Sequence, residues 1–175
     1  ISSKDCQALG EIIRDLLPGS ENPIYAVANF HFESTGKVLR GRTSLAVGTA
    51  IGLKRETALR WAAAVELMHN ASLIHDDICD RDHRRRNQSS VQAAFGVPLA
   101  LCFGDWLVAR SFELGVSAAE SSGGLGAAAV NSLAMGMRRL CEGQAREFNG
   151  KPVLIWEDYF RVVEEKTVPL VLAAI

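Results

Sequence analysis

The sequence has little of what marks several large classes of protein. Its formal net charge is -1 over 175 residues. No overall field therefore draws it to nucleic acid or to an anionic membrane, and any anion site must be built locally. Its four cysteines, Cys6, Cys79, Cys102 and Cys141, are widely spaced, with no CxxC pair. That spacing argues against a zinc site or a disulfide framework and fits a reducing cytoplasm. The opening residues, ISSKDCQALG, lack the basic region and apolar run of a signal peptide. The most apolar stretch, Ala93 to Ala109, is broken by Gly96, Pro98, Gly104 and Asp105. It falls short of the ~20 residues that a membrane span needs, so an integral membrane protein is not expected. Strand-like alternation is nearly absent as well.

What is present is helical. Alanine and leucine are abundant, and Pro and Gly punctuate the chain at helix-like intervals. The spacing predicts helices from Ser3 to about Leu17, from after Asn22 to near Thr35-Gly36, and from about Val38 to Ile51. The clearest runs from about Glu56 to Cys79 and is apolar on nearly all sides, as buried bundle helices are. A polar segment, Arg81 to Ser90, follows. Further helices are expected at about Val97 to Ser121, Leu125 to Phe148 and Trp156 to Ile175, with a turn at Ser121 to Gly124 and a kink at Pro169. No internal repeat or domain boundary interrupts residues 1–175, so a single all-α antiparallel bundle is expected.

The informative segment is His75-Asp76-Asp77-Ile78-Cys79-Asp80. On a helix, Asp76 and Asp80 share one face, one turn apart, while Asp77 is rotated by about 100°. Hard oxygen ligands at this spacing suit magnesium, which keeps several waters and often shares its ligands with phosphates. The acids close an apolar helix at its C-terminal end, where the dipole disfavours each anion by ~0.3–1 kcal/mol. Metal ions or Arg84, Arg85 and Arg86 must compensate them. Fixed cations for a phosphorylated ligand are on offer at Lys37 and Arg40, three residues apart at a helix start, and in the arginine triplet itself. Lys166-Thr167 and Gly143-Gln144 say little alone.

Taken in order, these pieces resemble the trans-isoprenyl diphosphate synthases, which make farnesyl, geranylgeranyl and longer polyprenyl diphosphates. That family carries GGKxxR, HDDxxD, RRGxP(T/S)VH or Q, then FG, GD, GQ and KT. Here stand Gly36-Lys37-Val38-Leu39-Arg40, the acidic cluster, Arg85-Arg86, Ser90-Val91-Gln92, Phe95-Gly96, Gly104-Asp105, Gly143-Gln144 and Lys166-Thr167. The order and spacing agree over nearly the whole chain.

The resemblance implies an isoprenoid synthase fold and a head-to-tail condensation of isopentenyl diphosphate with an allylic diphosphate. Lys37, Arg40, Arg86 and Gln92 would hold the first substrate. Asp76 and Asp80, with Asp77 near, would bind magnesium on the diphosphate of the second. Arg85, Gln144, Lys166 and Thr167 would contact that allylic side, and Lys166 would join the three aspartates in catalysis. The helix before Asp76 should line the tunnel for the growing chain. Small residues, Ala71 and Ser72, sit five and four positions before Asp76, and Met68 or Phe112 could form a floor. That points to a product of geranylgeranyl length or longer. The resemblance also implies a cytoplasmic homodimer.

Four positions depart from the family pattern: Asn87 replaces glycine, Ser89 replaces proline, Gly41 stands where proline is usual, and Glu147 where aspartate is usual. No second DDxxD occurs. The expectation is therefore a single, incomplete synthase domain. The rivals are a class I terpene cyclase, which has no use for a second diphosphate pocket, and a non-catalytic regulatory subunit of a prenyltransferase.

Overall fold

The fold follows from where apolar stripes and helix stops fall along the chain. The computed structural model describes residues 3–34, 36–121, 126–149, 155–158, 160, 164 and 168–174. Its elements are α1 (Ser3–Asp15), α2 (Tyr25–Glu33), α3 (Leu39–Ala50), α4 (Arg55–Asp80), β1 (Arg84–Arg85), β2 (Gln88–Ser89), α5 (Val91–Phe95), α6 (Val97–Glu120), α7 (Gly126–Asn149) and α8 (Val168–Leu172). This is the expected all-α architecture. Most of the expected turn at Ser121 to Gly124 and much of the expected last helix lie outside the described residues. Among the described residues, no helix is long and apolar enough to cross a membrane.

The long helix α4 is the axis. It packs chiefly on α6 and α3, and also on α1. Ala58, Ala62, Ala63, Ala64 and Ala71 are all fully buried on it. Such small side chains let neighbouring helices come close, while Leu67, Met68 and Ile74 fill the space around them. Phe103 and Leu107 of α6 and Leu133 of α7 complete this core. Gly41 of α3 shows how tight the approach is. A Cβ there would stand 2.8 Å from Leu9 Cδ2 and 3.2 Å from the Ala62 carbonyl. Its N–H also donates to the Glu66 carboxylate at 2.8 Å. A proline here would lose that bond and collide, which accounts for this departure from the family pattern.

The segment read as simply polar has structure of its own. Arg84 pairs with Ser89 and Arg85 with Gln88 in a two-residue hairpin. Its central residues, Arg86 and Asn87, have φ of 49° and 66°. Two positive φ values are the type I′ pattern, and asparagine tolerates that region better than other non-glycine residues. Asn87 therefore does the work of a glycine. After the hairpin, Ser90 caps α5, its Oγ accepting from the Ala93 N–H at 3.3 Å.

Candidate functional site

The acidic end of α4 is closed by a specific cap. Arg81 turns left-handed at φ 58°, and the Asp82 N–H returns to the Asp77 carbonyl at 2.9 Å. This is the Schellman arrangement with arginine in the usual glycine place. Two side chains reinforce it. The Ser90 hydroxyl donates to the Asp82 carbonyl at 2.6 Å. The Gln92 amide donates to the carbonyls of Asp77 and Asp82. Gln92 was expected to hold isopentenyl diphosphate. In this structure its amide spans the carbonyl of Asp77 in the last turn of α4 and that of Asp82 just beyond it, because a helix end leaves carbonyls that need donors.

The three aspartates are not equivalent. Asp77 points inward and is only 2 % exposed. Arg85 answers it: Nε lies 2.7 and 2.8 Å from its two oxygens, and Nη2 lies 2.6 Å from Oδ1. Burial works against the Arg85 charge, but Asp77, Asp76 and Asp82 outweigh it and raise the guanidinium pKa. Asp76 and Asp80 lie on the other side of α4, half-buried and exposed respectively. So Arg85, expected on the allylic side, is committed to Asp77, and its hairpin is thereby fixed to α4.

One residue further, Arg86 reaches the basic set. Its Nη1 donates to the Ser34 carbonyl at 2.9 Å, and its guanidinium lies on Gly36. A Cβ at Gly36 would stand 2.7 Å from Arg86 Cζ, so the glycine leaves the guanidinium its place. Lys37 follows and is exposed. Val38 has φ 48° at the start of α3, a strained value for a β-branched residue. Arg40 Nη1 donates to His69 Nε2 at 2.9 Å. Burial lowers the pKa of both Arg40 and Arg86, partly offset by Glu66. Burial also pushes Glu66 up and brings His69 down to about 3, with Arg40, Arg86 and Arg85 adding to the effect on His69. His69 is thus a neutral acceptor among guanidinium groups. Sequence reasoning missed it, although it lies two turns before Asp76 on the same helix. Glu66 and His69 form a Glu-x-x-His pair, a pattern also used for iron, but here the two serve Gly41 and Arg40.

Beside Asp76 opens an apolar cavity of about 400 Å³. Ile78 and Cys79 of α4, Leu101 of α6, and Met137, Cys141 and Phe148 of α7 are among its walls. Gln144 joins α7 to the acids, its Nε2 lying 3.3 Å from Asp80 Oδ1. Its Oε1 is buried and has no hydrogen-bond partner among the described residues. The expected chain-length residues lie elsewhere: Ala71 and Met68 are fully buried and Ser72 is 3 % exposed. None of the three lines this cavity. Phe112 is partly buried against the core. Lys166 and Thr167 fall outside the described residues.

Among the described residues, no three carboxylate, histidine or cysteine side chains converge to hold a metal alone. Asp76, Asp80 and the Gln144 oxygen offer hard donors only. That set fits magnesium, which takes one or two carboxylates and completes its shell with water and substrate phosphates.

The polyprenyl synthetase family profile matches residues 21–175. The geranylgeranyl pyrophosphate synthase of Geoglobus acetivorans is 33 % identical over 162 residues, covering 91 % of this chain and 50 % of that protein. The geranylgeranyl diphosphate synthase of Methanosarcina mazei is 33 % identical over 165 residues, 93 % of this chain and 51 % of its own length. The chain spans about half the length of these curated relatives. Among solved structures, the Geoglobus acetivorans enzyme superposes with a TM-score of 0.86 at 31 % identity, over 98 % of this chain and 57 % of that one. A polyprenyl synthase of Caulobacter crescentus, solved with calcium and isoprenyl diphosphate, gives 0.86 at 29 % identity, over 98 % and 51 %.

Proposed function

The chain belongs to the polyprenyl synthetase family, and from that membership we propose that its protein elongates an allylic diphosphate with isopentenyl diphosphate to a C20 product. One observation carries the reading. The buried Asp77–Arg85 pair ties the acidic end of α4 to a hairpin whose next residue, Arg86, lies on Gly36 beside Lys37 and Arg40. Two regions suited to diphosphates thus share one wall. A cyclase would need only the acidic one.

Lys37, Arg40 and Arg86, with His69 beside Arg40, hold isopentenyl diphosphate through charge-assisted hydrogen bonds. Asp76 and Asp80 would hold magnesium, with Gln144 at Asp80. Magnesium, when bound, neutralises charge on the leaving diphosphate of the allylic substrate. The aspartates orient that diphosphate so that the allylic tail enters the apolar cavity. The C–O bond ionises and releases diphosphate, the isopentenyl double bond attacks the allylic carbon, and a proton passes from the new chain to the departing diphosphate. Leu101, Met137 and Phe148 keep water from the cation. Lys166 and Thr167 belong to the allylic side by their match to the KT motif. Two copies pair through α6, whose Val97, Leu101 and Val116 are 47 %, 48 % and 46 % exposed. The cytoplasm is the fitting compartment.

The test is turnover of geranyl or farnesyl diphosphate with labelled isopentenyl diphosphate. The expected product is geranylgeranyl diphosphate, made only with magnesium and lost by about a hundred- to a thousandfold in Asp76→Ala, in line with the loss of a preorganised charge-stabilising group. Release of a hydrocarbon without isopentenyl diphosphate would overturn the reading.

A further inference from the structure

One buried carboxylate has no part in the chemistry proposed above. Glu66 is 4 % exposed and precedes Asp76 by ten residues, about 15 Å along α4. It therefore stands with the basic set and not with the acidic end. Its Oε2 accepts from the Gly41 N–H at 2.8 Å, across the contact of α3 with α4.

That bond meets a need of α3. The helix starts from Val38, whose side chain makes no cap bond. Gly41 is its third helical residue, a position whose N–H normally bonds to the side chain of a serine, threonine or aspartate cap. Valine offers no acceptor, and Glu66 supplies one from α4. The dipole of α3 favours an anion at this end. Gly41 directly follows Arg40, so the bond also fixes the point where the Arg40 side chain leaves the helix.

The same carboxylate answers two guanidinium groups. It is the charge that offsets burial at Arg40, and the larger of the two that do so at Arg86. Both arginines in turn work against the rise that burial imposes on the Glu66 pKa. Glu66 and Arg86 line one small cavity of about 30 Å³ together with Gly36. Arg40 is held at Nη1 by His69, while its buried Nε has no hydrogen-bond partner among the described residues. A neutral His69 orients Arg40 but offsets none of its charge. Without Glu66, two like charges would share this corner and push apart. Holding them in place beforehand removes their ordering cost from ligand binding. Lys37, Arg40 and Arg86 together outnumber the carboxylate, so the corner still attracts a diphosphate.

We propose that Glu66 is a positioning residue of the isopentenyl diphosphate site, capping α3 from α4 and holding Arg40 and Arg86 side by side for the diphosphate. The inference rests on the substrate assignment made above. Its test is a calorimetric titration of the whole protein with isopentenyl diphosphate without magnesium, and with an unreactive sulfur-bridged analogue of geranyl diphosphate with magnesium. Glu66→Gln keeps the shape and an acceptor for Gly41 but removes the charge. It should weaken isopentenyl diphosphate about tenfold and leave the allylic analogue within about twofold. Glu66→Asp keeps the charge one methylene short and should weaken isopentenyl diphosphate about threefold, with the same selectivity. The melting transition identifies folded variants, and either one decides. In turnover, KM for isopentenyl diphosphate should rise in step while kcat holds. Unchanged or tighter binding of isopentenyl diphosphate in a folded variant would overturn the proposal. So would equal weakening of both ligands, the mark of a merely structural role. A parent protein that binds both ligands without joining them would count against the proposed reaction, while selective loss in the variants would still uphold the role of Glu66.

Discussion

At the scale of single residues, the site turns on giving each charge one task. Asp77 looks like a metal ligand in a string of letters, yet it is buried against Arg85. The helix period explains this, because Asp77 faces about 100° away from Asp76 and so turns toward the core. Removing its partner should leave an unpaired buried carboxylate. We predict that Arg85→Ala lowers unfolding stability by about 3–5 kcal/mol in urea titration. Asp76→Ala should cost less stability than Arg85→Ala while removing activity, since Asp76 is half-buried and Asp77 is buried. Two histidines set a pH limit. His31, between Phe32 and Phe103, bonds Asn70 at 2.9 Å, and burial brings it down to about 4. His69 stands at about 3. Both take up protons more readily in the unfolded chain, near pH 6.5. The stability of the neutral forms is thus full above pH 6.5 and is lost as pH falls toward 4. The slope is about 1.4 kcal/mol per unit for each histidine. The melting temperature should fall across that range, and His31→Gln should lessen the slope.

At the scale of elements, the hairpin and the cap on α4 position the chemistry. The sequence made the helices legible because their apolar stripes and stops are local signals. α4 extends over Arg55–Asp80, against an expected Glu56 to Cys79. The hairpin was not legible, since its two strands have only two residues each and the usual glycine of its turn is Asn87. The role of Gln92 was hidden for a related reason: a cap depends on which carbonyls a fold brings near, and no local pattern records that. Positive φ at non-glycine residues gives a direct check. Arg81→Gly should stabilise the protein by about 1 kcal/mol, because the left-handed cap would lose its Cβ penalty. Gly36→Ala should do the opposite for function. It would displace Arg86 and raise KM for isopentenyl diphosphate about tenfold, with little change in melting temperature. An equal rise in the allylic KM would contradict the assignment of Arg86.

At the scale of the whole molecule, the account is of two anion sites on a common wall, one built from oxygens for magnesium and one from nitrogens. The ordered set of short motifs made that division legible, whereas His69 and the true lining of the cavity beside Asp76 emerged only from packing. The most direct measurement is a calorimetric titration of two ligands, isopentenyl diphosphate and an unreactive sulfur-bridged analogue of geranyl diphosphate. Each is titrated with magnesium into the parent protein and into the Asp76→Ala, Asp80→Ala double variant. The account predicts that the variant loses the allylic analogue while isopentenyl diphosphate binds within about twofold of the parent, a change of under 0.5 kcal/mol. Loss of both ligands, or retention of both, would contradict it.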